Sequence, residues 1–308
     1  MSLIVIVLAL LIEQVRPMPV ARWVLRPLGR LATYIEEKLN DGRLNSGVAA
    51  TALLVVSCTG ATWLIYGLLE SVQPVLAFAF SLLVLYMTMG VRHESHYFTD
   101  IHVALRLGEL SRARMLLGEW SGRDCEAADS SEVTRLAIEQ ALVSAHRNVY
   151  GAIFWFILLP GPVGAVLYRV SSFLDLHWGA RQDEEFGRFG EASRAWFGWI
   201  DWLPVRLTAF SFSVVGNFED AVLCWRTQSG LWMNRSSGIL LSSGGGALGV
   251  RLGLPRHEAG QLVDRPEMGC GDDARIEFMQ GTVGLIWRAL CFCLLALALI
   301  GIASWVAH

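Results

Sequence analysis

Long apolar segments constrain this chain more than any other feature of its sequence. Two of them, 48–69 and 72–91, carry no charged residue and are separated by a very short turn, and a third covers 284–306. A helix needs about 20 apolar residues to cross the hydrocarbon core of a bilayer, and each of these segments reaches that length. The first two segments therefore predict a transmembrane helical hairpin, and the third predicts a further membrane-crossing helix.

The composition supports the same class of protein. Of the 308 residues, 54% are hydrophobic and 17% are charged, whereas soluble domains carry about 25% charged residues. A net charge of −3 without dense basic runs argues against nucleic-acid binding. The six cysteines include no Cys-x-x-Cys pair, so we expect neither a disulfide framework nor a zinc site.

Three weaker apolar segments raise the predicted number of membrane segments. Segment 2–12 is short and is predicted to be a retained anchor, 150–168 is interrupted by Leu-Pro-Gly-Pro at 159–162, and 203–225 contains Pro204 and Arg206. We therefore predict one all-α, polytopic membrane domain over 1–308 with about five or six membrane segments. The connecting loops, predicted to be soluble and helical, cover 13–47, 92–149, 169–202 and 226–283.

The charges of these loops bear on their sidedness. Loops 13–47 and 226–283 contain six basic residues each, loop 92–149 contains seven, and loop 169–202 contains four. The positive-inside rule places the first three in the cytoplasm. Two topologies remain open: six crossings with the carboxyl terminus outside, or re-entrant segments at 150–176 and 203–225 that keep every one of these loops inside.

Loop 92–149 contains two predicted helices. Asp100 is a candidate cap for a helix that runs to about Trp120, and Asp129 or Ser130 for the next one. Three histidines, His93, His96 and His102, also lie in this loop. On a helix, residues three apart share a face and could ligate a metal, but the favoured interpretation is an interfacial anchor.

Three further features are candidates for ligand binding. Arg123 and Asp124 lie in a glycine-containing loop ahead of a helix, where an anion could bind, although spacing alone favours an exposed turn. Arg206 lies in an apolar segment, where it must find a partner or cavity, or extend to the interface. The Ser-Ser-Gly-Gly-Gly run at 242–246 either cradles phosphate or allows close helix packing.

A series of motifs resembles one known family. The motifs are Gly-Arg-Asp at 122–124, Leu-Pro-Gly-Pro at 159–162, Leu-Asp at 174–175, Pro-Val-Arg-Leu at 204–207 and Gly-Ala-Leu-Gly-Val-Arg-Leu-Gly at 246–253. Together with His102, Gly108, Ala113 and Arg114 they occur in the order seen in the CobD/CbiB family. That family comprises integral membrane proteins of cobalamin biosynthesis that join an aminopropanol unit to adenosylcobyric acid in an ATP-dependent amide synthesis.

The resemblance implies a site, its cofactors and its partners. The catalytic residues, which would also hold Mg²⁺, would be Asp124 and Asp175. Contacts to phosphate or corrin carboxylates would come from Arg123, Arg206, Gly246, Gly249 and Arg251. The implied cofactors are Mg²⁺ and ATP, and the implied partners are a corrinoid substrate and the lipid bilayer of the bacterial inner membrane, which the chain would cross several times. A homo-oligomer is compatible with the resemblance.

The chain also departs from the family pattern. A family Glu-Asn-x-x-Asp-Gly motif is reduced to His-Arg-Asn-Val-Tyr-Gly at 146–151, and a pair of aspartates is replaced in Arg-Ala-Trp-Phe at 194–197. Holding Mg²⁺ against phosphates requires acidic residues. Segment 200–207 looks closer to AmpE, a related inner-membrane protein linked to β-lactamase induction. A non-catalytic, AmpE-like sensor or accessory protein is therefore the alternative to a ligase.

Overall fold

The computed structural model describes residues 2–16, 20–181, 183, 186–258 and 261–306. The chain is mostly helical, at 79%, and it divides into two compact units. The first unit comprises Met1–Arg92 and Arg147–Pro204, and the second comprises His93–His146 and Val205–His308.

The described residues form the following helices in chain order: α1 (Ser2–Val15), α2 (Arg26–Leu39), α3 (Leu44–Val72), α4 (Pro74–Thr88), α5 (Val91–Arg106), α6 (Leu110–Ser121), α7 (Ser130–Ala145), α8 (Gly151–Leu158), α9 (Val163–Leu174), α10 (Phe189–Ile200), α11 (Trp202–Val215), α12 (Phe218–Gln228), α13 (Arg235–Leu248) and α14 (Ile276–Val306). Short π-helical turns occupy Ala21–Leu25, His146–Tyr150 and Asp175–Gly179. The strands are β1 (Arg251–Leu252), β2 (Arg256–Glu258), β3 (Gln261–Val263) and β4 (Met268–Gly269).

Helices α3 and α14 have the length and composition of membrane spans. Helix α3 exposes large apolar side chains such as Val56, Leu64 and Leu68 along its length, as a lipid-facing helix does. Three other apolar helices, α1, α4 and α11, contain only 14 or 15 residues, fewer than the roughly 20 that a perpendicular crossing needs. Membrane association is thus supported, but the predicted number of five or six membrane segments is not confirmed.

The first unit contains two helical hairpins. In one, α3 and α4 are joined by Gln73 alone, in an extended conformation, and Pro74 begins α4. In the other, the predicted break at 159–162 is confirmed, because α8 ends before it and α9 begins after it. The two arms of this second hairpin pack closely: a Cβ added at Gly151 would lie 2.0 Å from the Tyr168 ring. Segment 150–168 therefore doubles back and is not one continuous helix.

The core of the first unit forms where these hairpins meet α2 and α10. Buried apolar residues come from α2, α3, α9, α10 and the turns between them, namely Leu28, Ala32, Ile35, Ala50, Leu54, Val55, Val170, Leu174, Trp178, Phe186 and Phe189. The Trp178 indole donates a hydrogen bond to Glu36 of α2 at 3.0 Å. This bond satisfies the polar atom of a ring that is otherwise fully buried.

Local capping in the second unit was predicted in one place and missed in another. Asp129 caps α7, because its side chain accepts the backbone N–H of Glu132 at 2.7 Å. The prediction that Asp100 caps a helix reaching Trp120 is wrong. Asp100 lies inside α5, and the chain breaks after Arg106 before α6 begins. Gly108 occupies that break with a φ of +75°, which a glycine adopts without strain.

The rest of the second unit is built around α13. A Cβ added at Gly246 would lie 2.6 Å from the backbone oxygen of Asp220 in α12, so α12 and α13 pack at a distance that only glycine allows. After α13, β1 pairs with β4 and β2 pairs with β3, both antiparallel. These two short ribbons are a departure from the all-α prediction.

Candidate functional site

A cavity of about 120 Å³ lies inside the second unit. It is formed by the end of α6, the loop that follows it, one face of α7, the start of α13 and the ribbon β2–β3. Its lining consists of Leu117, Ser121, Arg123, Asp124, Cys125, Leu136, Glu139, Gln140, Val143, Trp232, Ser237, Leu241, Arg256, His257 and Arg265.

Two of the predicted site residues, Arg123 and Asp124, meet at this cavity. They follow Gly122, which ends α6 in the left-handed conformation with a φ of +68°. The Asp124 Oδ1 atom accepts the backbone N–H of Glu126 at 3.0 Å, and this bond shapes the loop. Both side chains are exposed. The prediction that they form a polar loop ahead of a helix is therefore consistent with their position.

One face of α7 holds residues 253–257 and Arg265 at the cavity. Glu132, Arg135 and Glu139 share that face because they are three and four residues apart, and all three are buried. Glu139 accepts the backbone N–H of Gly253 at 2.9 Å and two hydrogen bonds from the Arg265 guanidinium, at 2.9 and 3.2 Å. Such a bidentate pair is among the strongest polar contacts in proteins.

The other two residues of that face bind the same segment. Arg135 donates to the backbone oxygen of Pro255 at 2.7 Å. Glu132 accepts the backbone N–H of His257 at 2.7 Å, and its other oxygen lies 2.8 Å from the His257 Nδ1 atom. Burial lowers the pKa of Arg135, and the neighbouring Glu139 opposes that shift. The segment is thereby held at both of the positions that flank Arg256.

The remaining walls of the cavity are aromatic and apolar. The Arg265 guanidinium lies 5.3 Å from the centre of the Trp232 ring, a distance that allows a cation–π interaction. Leu117, Leu136 and Leu241 also line the cavity. The cavity therefore combines fixed cations with an apolar surface.

Three other predicted site residues have structural surroundings in the second unit. Gly246 lies inside α13, against α12. Gly249 ends that helix in the left-handed conformation, with a φ of +67°. Arg251 pairs with Asp273 at 2.5 Å. The Ser-Ser-Gly-Gly-Gly run at 242–246 is part of the buried face of α13, so the helix-packing alternative describes it and the phosphate-loop alternative does not.

Arg206 and the histidines complete the predicted set in this unit. Arg206 lies half-buried in α11, two residues before Thr208, whose hydroxyl lies 2.9 Å from the His146 Nδ1 atom. His96 and His102 lie on α5, and the side chain of His93 is outside the described part of the structure. Burial and the nearby Arg106 lower the pKa of His102. Among the described side chains, no group of three His, Cys, Asp or Glu could hold a metal ion.

Asp175, the second predicted catalytic residue, belongs to the first unit and is buried there. Its Oδ2 atom accepts a hydrogen bond from Arg147 at 2.8 Å. The Arg147 guanidinium also lies 4.9 Å from the centre of the Phe197 ring. Burial raises the pKa of Asp175, and Arg147 opposes that shift. One oxygen of this carboxylate is therefore already bound to a cation of the same unit.

A second buried pair lies in the same region of the first unit. The Tyr168 hydroxyl donates to the Asp201 carboxylate at 2.8 Å, and Arg169 donates to the Asn148 amide oxygen at 2.5 Å. We refer to Arg147, Tyr168, Asp175 and Asp201 as the polar cluster. Each of these four side chains is almost completely buried.

Sequence reasoning missed the part of the cavity contributed by Glu139, Trp232, Arg256, His257 and Arg265. One signal was available, since Glu132, Arg135 and Glu139 recur at helical spacing in a helix that also contains many apolar residues. Their partners lie more than 100 positions away in sequence, for example at 114 residues between Glu139 and Gly253. A single sequence contains no information that identifies such partners.

Comparisons with known proteins cover almost the whole chain. A family model described as CobD/Cbib protein matches residues 6–286. The cobalamin biosynthesis protein CobD of Stutzerimonas stutzeri (strain A1501) is 33% identical over 293 residues, which are 94% of this chain and 94% of that protein. The protein of the same name from Chromobacterium violaceum is 35% identical over 246 residues, which are 79% of this chain and 76% of that protein.

A relative with lower sequence identity is named CbiB. The cobalamin biosynthesis protein CbiB of Salmonella typhimurium (strain LT2) is 26% identical over 307 residues, covering 94% of this chain and 92% of that protein. No solved structure matches the chain.

Proposed function

The chain belongs to the CobD/CbiB family, and on this premise we propose that it acts in cobalamin biosynthesis at the step that joins an aminopropanol unit, or its phosphate, to adenosylcobyric acid. The observation that carries the proposal is the family match over residues 6–286. The match includes the loop with Arg123 and Asp124, which lies at the cavity. The proposed reaction forms an amide bond, and the proposed location is the inner membrane of a bacterial cell.

Amide formation requires that the carboxyl group be activated, and bound Mg²⁺ and ATP would supply that activation. The fit of the chain to these groups differs between the two predicted acids. Asp124 is exposed at the cavity beside Arg123, so it is suited to a Mg²⁺–phosphate complex. Asp175 has one oxygen bound to Arg147, which makes it the poorer ligand. We therefore assign the contact with metal and phosphate to Asp124.

The arginines would hold the anionic parts of the substrates. Arg123 faces the cavity and is the first candidate. Arg206 and Arg251 are further candidates for corrin carboxylates, and Gly246 and Gly249 would act through the shape of α13 and its end. In this assignment the protein binds, orients and neutralises charge, and the bond changes take place between the bound substrates.

Complementation of a bacterial strain that lacks its cobinamide-phosphate synthase tests the proposal. With cobyric acid supplied, the wild-type chain is expected to restore cobalamin-dependent growth, and Asp124→Ala is expected to abolish it. Asp272→Ala is the matched control, because Asp272 is an exposed acid of the same unit whose side chain pairs with Arg275 outside the cavity. Failure of the wild-type protein to restore growth, at normal abundance in the membrane fraction, would refute the ligase function.

A non-catalytic function is the second candidate, and one observation favours it. The Asp175 carboxylate is bound to Arg147, and an acid that is neutralised in this way does not need a metal. An AmpE-like accessory or sensor protein would retain the fold without the reaction. It predicts no growth in the complementation experiment even though the protein is correctly folded.

A further inference from the structure

Two cysteines of the second unit lie side by side in the folded chain. Cys224 belongs to α12, Cys270 directly follows β4, and both are free thiols. The thiol of Cys224 is hydrogen-bonded to the thiol of Cys270. The two residues are far apart in the sequence, so the fold alone brings them together. Neighbouring thiols of this kind are the reduced form of a potential disulfide.

The backbone around this pair is held in place by hydrogen bonds one turn further along α12. Gln228 lies four residues after Cys224 and therefore on the same face of the helix. Its side-chain amide donates a hydrogen bond to the Gly269 backbone oxygen at 2.9 Å and accepts one from the Gly269 N–H at 2.7 Å. The residue immediately before Cys270 is thereby fixed against α12. The contact between the two thiols thus belongs to a bonded interface between α12 and β4.

The two thiols differ in their access to solvent. Cys224 is buried, with 2% of its surface exposed, whereas Cys270 is half-buried. Oxidation of cysteines depends on the exposure of the thiol, and redox-sensing cysteines often lie beside a second cysteine that resolves the first product. Cys270 is therefore the thiol that meets a soluble oxidant, and Cys224 is placed to react with it afterwards.

The predicted location of the pair favours the reduced form at rest. Cys270 lies in the loop 226–283, which the positive-inside rule assigns to the cytoplasm. Thiols are normally kept reduced there, and the disulfides that do form are mostly transient, catalytic or redox-sensing. The resting pair is then two thiols, and a disulfide forms when the concentration of an oxidant rises.

The pair lies at the base of the chain segment that forms one wall of the cavity. Strand β4 pairs with β1, so that Gly269 lies opposite Arg251. The chain between these strands, described at 253–258 and 261–267, is called here the cavity-wall segment. It contributes Arg256, His257 and Arg265 to the cavity. A covalent bond from Cys270 to α12 would close the base of this segment.

We propose that Cys224 and Cys270 form a redox-sensitive pair, which a small-molecule disulfide such as oxidised glutathione converts to an intramolecular disulfide that fastens the base of the cavity-wall segment to α12. The first step is attack of the Cys270 thiolate on one sulfur of oxidised glutathione. The S–S bond of the reagent breaks, a mixed disulfide forms on Cys270, and one glutathione leaves as a thiol with the proton that Cys270 lost.

The second step closes the bond within the protein. The Cys224 sulfur, losing its proton, attacks the Cys270 sulfur of the mixed disulfide, and the second glutathione leaves as a thiol with that proton. In total the protein loses two hydrogen atoms, and one molecule of oxidised glutathione is reduced to two thiols. Neither step depends on the proposed ligase function.

Mass spectrometry of the purified, full-length protein in detergent tests the pair. The protein is incubated with oxidised glutathione, its remaining thiols are alkylated, and it is digested without reductant. We expect a peptide pair linked through Cys224 and Cys270 that disappears after treatment with dithiothreitol. A wild-type protein in which both cysteines stay alkylated, or in which Cys270 stops at the mixed disulfide, would overturn the proposal.

Single variants separate the two steps. In Cys224→Ala, we expect Cys270 to stop at the mixed disulfide with glutathione, because the resolving thiol is missing. In Cys270→Ala, we expect Cys224 to stay a thiol, because it is buried. Cys291→Ala is the matched control, since Cys291 is an exposed cysteine of α14, and the link should form in it as in the wild-type protein. Loss of the link in Cys291→Ala would contradict the assignment.

Hydrogen exchange measures the effect on the cavity wall. A covalent link removes open conformations of the segment that it closes, so the amides of 253–258 and 261–267 should exchange severalfold more slowly in the oxidised protein than in the reduced one. Cys270→Ala, whose side chain is half-buried, should show no such slowing with the same oxidant, and it provides this comparison even if Cys224→Ala does not fold. Equal exchange in the linked and reduced wild-type protein would refute the effect on the cavity wall.

Discussion

The polar cluster of the first unit and the cavity of the second unit both collect charged residues, but they use them differently. In the polar cluster, Arg147 faces Asp175 and Tyr168 faces Asp201, and the groups are sealed from solvent. At the cavity, Arg123 and Asp124 are exposed at the rim of an open volume. A charge that is paired inside the protein specifies its structure, whereas a charge beside a cavity can exchange water for a ligand.

This difference separates the two aspartates that the family resemblance places in one catalytic role. Asp175 is committed to Arg147, and replacement of either residue leaves the other charge buried without its partner. Asp124 shapes its own loop by accepting the Glu126 N–H, and it is exposed. Substitutions of Asp175 or Arg147 should therefore change the stability of the protein. Substitutions of Asp124 or its neighbour Arg123 should change binding and activity.

The largest effect is expected at Arg147. Arg147→Met leaves the Asp175 carboxylate buried and uncompensated, and loss of one partner of a buried ion pair costs about 3–5 kcal/mol of unfolding free energy. Denaturant unfolding of the purified protein measures the loss. The double variant Arg147→Met/Asp175→Leu is the control, because it removes both charges and should recover most of the stability. Equal losses in the single and double variants would show that the pair itself is unimportant.

A smaller effect is expected at Glu139, where the cavity wall depends on a buried acid. Glu139→Gln removes the charge that holds Arg265, and hydrogen bonds to charged groups contribute about 1.5–3 kcal/mol. Hydrogen exchange should show faster exchange of the amides in 253–258 and 261–265, with little change in the first unit. Glu219→Gln, at an exposed acid of α12 in the same unit, is the matched control. Uniform acceleration throughout both units would contradict a local role for Glu139.

The smallest effect on stability is expected at Arg123. This side chain is exposed in a loop, and surface substitutions usually change stability by less than about 0.5 kcal/mol. Arg123→Met should therefore unfold at the same denaturant concentration as the wild-type protein while losing its activity in the complementation experiment. A loss of stability comparable to that of Arg147→Met would place Arg123 with the closed cluster and remove the contrast between the two regions.

The features that the sequence predicted correctly are those that depend on neighbouring residues. The break at 159–162 follows from two prolines and a glycine within four positions, and the cap at Asp129 follows from a side chain that reaches its own helix. The prediction that Asp100 caps a helix was wrong because Asp100 lies inside α5. The break in the chain comes later, after Arg106, where Gly108 adopts a positive φ. Proline and glycine residues in the sequence therefore predict where a helix ends more reliably than a polar residue predicts where a helix begins.

The features that could not be predicted depend on residues that are distant in sequence. Arg147 and Asp175 are 28 positions apart, and Glu139 and Arg265 are 126 positions apart. The glycines of 242–246 raised a choice between phosphate binding and packing that composition could not decide. It was decided by the position of Asp220 beside Gly246, which is a property of the folded chain.

The reversal of the chain at 159–162 also affects how passages through a bilayer are counted. A segment that enters a bilayer and returns makes no net passage, so the chain leaves it on the face from which it came. The close contact of Gly151 with Tyr168 brings the two ends of this hairpin to the same level. If segment 150–168 enters a bilayer, it therefore counts as no passage, and the parts of the chain directly before and after it lie on the same side.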